Sequence, residues 1–159
     1  MQELPHTHSC FVCGERNPLG LNLRFHTEGR VVTTRFTPCA EHIGFKGVVH
    51  GGILATALDE IMVWACAVAT QRFAFCAELN VRFVQPLAPG EEVLLTSELV
   101  ANRRDRIFTT KATAQSATGK VLAEATGKYV PIQPEHLPPM LGELVGGEEW
   151  LRSFSTAPP

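Results

Sequence analysis

The stretch "HGGILATALDEI", His50 to Ile61, decides how this chain is read. From Ile53 to Ala69 almost every residue is apolar or small, yet Asp59 and Glu60 stand side by side in the middle. An apolar surface around most of a helix circumference implies burial on several sides. The pattern predicts one helix from Gly51 to about Thr70. Gly51 and Gly52 at its start suit exposed N–H groups and close backbone approach better than helix propensity.

Upstream, "LGLNLRF" alternates Leu21, Leu23 and Phe25 against Asn22 and Arg24, and "RVVTTRFT" is rich in β-branched residues. Both read as strands. A glycine-containing loop, "CAEHIGFKGVV", leads into His50. Downstream, four strand patterns follow: "CAELNVRFV", "EEVLLTSELVA", "RIFTTKATAQS" and "KVLAEATGKYV". The first sets Ala77, Leu79, Val81 and Phe83 against Glu78, Asn80 and Arg82. The last sets Val121, Ala123 and Ala125 against Leu122, Glu124, Thr126 and Lys128. "NRRD" reads as a hairpin turn between the second and third. The tail carries one short helical pattern around "GEEWLRSF". The expected organisation is an irregular lead-in (1–18), one α+β domain (19–133) and a C-terminal tail (134–159). An antiparallel sheet wrapped around one long central helix fits this order. One such layer pair leaves sheet edges open, so self-association is expected.

The chain has 159 residues with 14 basic and 16 acidic side chains, a formal charge of −2. That balance gives no general attraction to nucleic acid or an anionic membrane. The start, "MQELPHTHSC", lacks the basic and apolar regions of a signal peptide, so a cytoplasmic location is the default. The five cysteines are an odd number and are scattered, which argues against a disulfide framework.

An ionised carboxylate in an apolar setting needs a partner or a raised pKa. For Glu60 the favoured reading is structural: an ion pair, for instance with Arg82, or a place facing water at a subunit boundary. Asp59 points to other neighbours, at 100° per residue. Free N–H groups at Gly51 and Gly52, with the positive end of the helix dipole, would polarise a carbonyl and stabilise its oxyanion. A carboxylate nearby could activate water or attack directly. One helix cannot bring Gly51 and Asp59 to one carbonyl, but two antiparallel helices across a dimer interface can.

"GVVHGGILATALDE" and "AELNVRFVQPLAPGE" together resemble the hotdog-fold acyl-CoA thioesterases, the group that includes the 4-hydroxybenzoyl-CoA and phenylacetate-pathway thioesterases. The resemblance covers roughly residues 10 to 132. It implies a hotdog fold, homodimers and possibly homotetramers, and hydrolysis of an acyl-CoA thioester at the dimer interface without a cofactor. By position it implies that Gly51 donates an N–H to the carbonyl, that Asp59 of the other subunit is base or nucleophile, and that His50 shapes the helix start. Gly52, Cys76 and Glu60 are the expected substrate-contacting positions. Two departures stand out. Cys76 occupies a place where many relatives carry Ser or Thr, and Gly44 lies where several carry Asn or Gln, with His42 the nearest substitute. These departures keep a non-catalytic acyl-CoA-binding protein as the rival reading. A dehydratase is a weaker rival, because such relatives rely on a catalytic His in a different motif.

"HTHSCFVCG" places Cys10 and Cys13 after His6 and His8, a conceivable zinc set. The spacing fits no common finger, so the expectation is a packed turn and no metal. The same opening, "CFVCGERNPLGL", resembles a structural lead-in seen in hotdog relatives. Arg103, Arg104 and Arg106 at the hairpin read as a solvated turn, with coenzyme A phosphates as the functional alternative. Trp64, Phe73 and Phe75 are the expected determinants of acyl-slot length.

Overall fold

The computed structural model of the chain describes residues 1–155, with side chains to residue 152. In chain order the elements are β1 (Gln2–Glu3), β2 (His6–Thr7), β3 (His26–Glu28), β4 (Val31–Phe36), β5 (Ile43–Phe45), β6 (Val48–Val49) and α1 (Gly51–Thr70). There follow β7 (Ala74–Phe83), β8 (Val93–Arg103), β9 (Ile107–Ser116), β10 (Val121–Pro131), α2 (Leu137–Leu141), β11 (Leu144–Val145) and α3 (Glu148–Ser155). The main sheet runs β1-β3-β4-β8-β9-β10-β7, antiparallel throughout. It curls around α1, which packs on β4, β7, β8, β9 and β10. This is the hotdog arrangement expected for an apolar helix beside one antiparallel sheet.

Helix α1 spans the predicted residues. His50 caps its start, and Gln71 ends it in the left-handed region. Leu54, Ala57, Leu58, Ile61, Met62, Trp64, Ala65, Cys66 and Ala67 are buried. By length and composition alone α1 could cross a membrane; here half of it is buried inside the fold, as in the core helix of a packed domain. The least covered stripe is Gly52, Ala55, Thr56 and Asp59, spaced at i, i+3, i+4 and i+7 and made mostly of small side chains.

Three sequence expectations change. The strand expected over 19–25 lies later, at His26–Glu28. Leu21 and Leu23 instead donate backbone N–H groups to Phe11 O and Val12 O, each at 2.8 Å. Asn22, at φ +53°, interrupts any ladder. The alternation still sorts the side chains, because Leu23 and Phe25 are buried. In β10, Leu122 is buried together with Ala123, because the register against β9 shifts between Val121 and Ala123. Finally, the lead-in and the tail are not separate appendages. β2 pairs with β11, and β1 extends the main sheet beside β3. Trp150 of α3 then packs edge-on against Trp64, centroids 5.7 Å apart, within an aromatic group that includes Phe25 and Phe73.

The strand β7 forms one edge of the sheet. Phe75, Leu79 and Phe83 on it are 57%, 37% and 52% exposed, which is unusual for a long edge strand. Leu58, by contrast, is fully buried at the middle of α1. Leu58→Ala is expected to destabilise the fold by about 2–5 kcal/mol. Urea unfolding at fixed protein concentration measures it.

Candidate active site

The start of α1 is built by its cap. The His50 Nδ1 accepts the Gly52 N–H at 2.9 Å, and His50 O accepts the Ile53 N–H at 2.9 Å. Gly52 is therefore not the free donor expected. Among the described residues the Gly51 N–H has no acceptor, and it sits at the positive end of a 20-residue helix. A Cβ at Gly51 would come within 3.0 Å of the Phe83 Cζ, so glycine is what lets that ring lie over the helix start. A pocket of about 470 Å³ opens there, lined by Gly44, Phe45, His50, Gly51, Phe83 and Pro86 among others. His42 does not substitute for a polar group in this pocket. Its Nδ1 accepts the Cys39 N–H at 3.2 Å, and its ring packs on Phe36.

Asp59 is held from the sheet side. The Tyr129 hydroxyl donates to Asp59 Oδ1 at 2.8 Å. Tyr129 is fully buried on β10, and burial together with the Asp59 charge pushes its phenol above the usual range. Cys76, on β7, lies beside the same carboxylate. Burial, with Asp59 alongside, pushes its thiol up to about 11. Both groups therefore stay protonated near neutral pH and face the carboxylate with O–H and S–H. Tyr129 is the functional residue the sequence reading missed. It is the chain's one tyrosine, in the last long strand, but no local spacing ties it to Asp59.

Glu60 points the other way. The Cys13 thiol donates to its Oε1 at 3.3 Å, and the Cys10 thiol lies at 3.8 Å. Burial, with the Cys10 charge next, pushes the Glu60 carboxyl up to about 7. Arg82, expected as its partner, pairs with Glu124 on β10 instead. Glu60 thus leaves the Asp59 site and serves the packing of the lead-in on α1. Trp64 and Phe73 are also removed from any slot near Asp59, since both are buried in the aromatic group with Trp150. Of the three aromatic residues expected to set slot length, Phe75 alone is exposed, on β7. Arg103, Arg104 and Arg106 border a depression of about 630 Å³ at the β8–β9 hairpin. The turn itself is set by Asn102, whose Oδ1 accepts the Asp105 N–H at 2.8 Å.

Gly51 and Asp59 are eight residues apart on one helix, about 12 Å along its axis. Within one chain they face different places. The stripe that carries Asp59 is the least covered side of α1, with Asp59 itself met at its edge by Tyr129 and Cys76.

The thiolate is the reactive form of cysteine, so a raised pKa slows alkylation at moderate pH. Alkylation of Cys76 by iodoacetamide at pH 8 is expected to run about two orders of magnitude slower than that of an unperturbed thiol. Asp59→Asn removes the neighbouring charge and should move the titration down and speed the reaction. Peptide mass mapping against pH, with Cys39 as the exposed internal reference, measures both.

Comparison with known proteins agrees with this geometry. The family model described as the Thioesterase superfamily matches residues 46–123. That span holds His50, Gly51, Asp59 and Cys76. Acyl-coenzyme A thioesterase 13 of Homo sapiens is 30% identical over 86 residues, which are 53% of this chain and 61% of that protein. The chain thus spans about three fifths of the length of this curated relative. A crystal structure of a thioesterase superfamily protein superposes with a TM-score of 0.72 at 27% identity, over 77% of this chain and 63% of the other. A Streptococcus mutans protein bound to acetyl CoA shares the fold at a TM-score of 0.65 and 17% identity, over 74% of this chain and 94% of the other. By sequence match, sheet topology and central helix alike, the chain is similar to proteins of the thioesterase superfamily and has the hotdog fold.

Proposed function

We infer that the chain is an acyl-CoA thioesterase whose site is completed by a second copy of itself. The observation that carries this reading is the pairing of two half-sites on α1. One is a Gly51 N–H without an acceptor at the mouth of a pocket. The other is a carboxylate fixed by Tyr129 on the open stripe of the helix. Two copies joined along β7 would cover Phe75, Leu79 and Phe83, removing apolar surface from water and continuing the sheet. The open stripes of the two α1 helices would then face each other, with small residues allowing close approach. In that dimer the Gly51 N–H polarises the thioester carbonyl, and Asp59 of the partner subunit reaches the same carbon.

Water activated by that carboxylate adds to the carbonyl carbon, and its proton passes to Asp59. The oxyanion is stabilised by the Gly51 N–H and the helix dipole. Collapse breaks the C–S bond, and the departing thiolate recovers the proton as free coenzyme A. Tyr129 and Cys76 hold the carboxylate in place. The relatives named as acyl-coenzyme A thioesterases, and the acetyl CoA bound by the Streptococcus mutans neighbour, support an acyl-CoA substrate. A cytoplasmic location belongs to the same reading, as does further pairing of dimers into tetramers.

Thiol release from a panel of acyl-CoAs tests the chemistry. Asp59→Asn and Asp59→Ala are each expected to lower kcat by about 10²–10⁴-fold with the dimer intact. Binding without release, unaffected by either substitution, would favour an acyl-CoA-binding module instead. Complementation tests the shared site. Asp59→Asn and Gly51→Val are each inactive alone; mixed and refolded one to one, they should regain about a quarter of wild-type activity, because half the dimers then hold one intact site. No regain would place both groups in the same subunit's site.

A further inference from the structure

We propose that Cys10, Cys13 and Glu60 form a binding site for a single zinc-like divalent cation that fastens the N-terminal segment to the central helix. This is independent of the Asp59 chemistry. The two thiol sulfurs and a carboxylate oxygen of Glu60 lie within 4.8 Å of one another. The Sγ···Oε1 separations are 3.3 Å for Cys13 and 3.8 Å for Cys10. A tetrahedral zinc with ordinary Zn–S and Zn–O bonds sets such separations near ~3.5 Å. The observed pair brackets that value.

The backbone is shaped for the task. Between the two cysteines the chain makes a tight turn, closed by the Gly14 N–H to Cys10 O at 2.9 Å. The Val12 N–H points at Cys10 Sγ, 3.2 Å away, a donor suited to a thiolate. A Cβ at Gly14 would come within 2.3 Å of Cys10 O, so only glycine fits directly after the second cysteine. The third group comes from a distant part of the chain: Glu60 lies 47 residues beyond Cys13, on a largely apolar helix. Among the described residues no salt bridge joins Glu60 to a cation. A carboxylate and two thiols gathered in a largely apolar place, with the nearby Arg24 guanidinium donating to the Cys13 backbone carbonyl at 3.0 Å and making no ion pair with Glu60, is the arrangement a cation would stabilise.

The ligand set differs from the Cys–His set that the sequence offered. His6 and His8 both turn to Glu15, at 3.3 and 2.8 Å. Cys10 and Glu60 also line a cleft of about 300 Å³, with Ser9, Trp64, Phe73 and Glu143 on its walls. Three protein ligands leave the fourth coordination position to water from that cleft. Binding releases the protons held by Cys10 and Cys13, and any proton held by Glu60, to solvent.

The test uses the full chain, purified under reducing conditions, stripped of metal and titrated with Co²⁺. One equivalent should give a thiolate-to-cobalt charge-transfer band and the strong visible bands of a tetrahedral site, both abolished by one equivalent of Zn²⁺. Cys13→Ser should cut the charge-transfer band to about half or less, since Cys10 is then the one thiolate left in the set, and Glu60→Gln should weaken cobalt binding by at least about tenfold. Cys39→Ser and Cys76→Ser should leave the spectrum unchanged, since those thiols lie elsewhere. The proposal falls if the reduced wild-type chain gives no such band. It falls equally if the band keeps its full intensity in Cys13→Ser, or if Glu60→Gln binds cobalt as tightly as wild type. Because the wild-type spectrum decides first, a variant that fails to fold does not shield the proposal.

Discussion

The structure depends on the burial of one long apolar helix by one curled sheet. Helix α1 packs under β4 and β7 to β10 with about half of it buried, and its central leucine, isoleucine and methionine are fully inaccessible. That burial is the main favourable term in a single domain of this size. It also fixes direction. Once the helix is rotationally locked by its core face, Asp59 must lie on the open stripe and Glu60 must face the N-terminal segment. Two adjacent carboxylates are thereby sent to separate environments, one against a buried phenol and the other against two thiols.

The same constraint explains why polar groups can be kept on an apolar helix. Each carboxylate is met by donors from another element, so neither is left bare in a dry place. Tyr129 reaches Asp59 across the sheet–helix boundary, and the N-terminal turn reaches Glu60 from the opposite side. The chain ends reinforce this second side. β2 and β11 pair, and Trp150 closes over Trp64, so the segments before and after the hotdog unit form one cover. Among the described residues, the side of α1 that carries Asp59 receives no such cover from the chain ends.

Much of this was legible in local pattern. The helix from Gly51 to Thr70 and the four long strands after it follow from apolar periodicity, which burial imposes directly on sequence. The start of the helix was partly legible. Glycines at 51 and 52 signalled close approach, but the sequence could not reveal that the His50 ring would take the Gly52 N–H, because that depends on a rotamer. The region from 19 to 25 carried a true alternation and a wrong inference. Its faces were correct, while its hydrogen bonds go to the N-terminal segment and not to a sheet neighbour.

What the sequence by itself determined is the class of fold and the pairing of a glycine-started apolar helix with an internal acid, because period and composition are local properties. What only the tertiary structure decided is which groups meet. Tyr129 and Asp59 are 70 residues apart, Cys13 and Glu60 are 47 apart, and the expected Arg82–Glu60 pair never forms. Partners at such separations are chosen by the rotation of α1 and the register of β7 against β10. Those are set by packing of the whole core, and no short stretch of residues carries them.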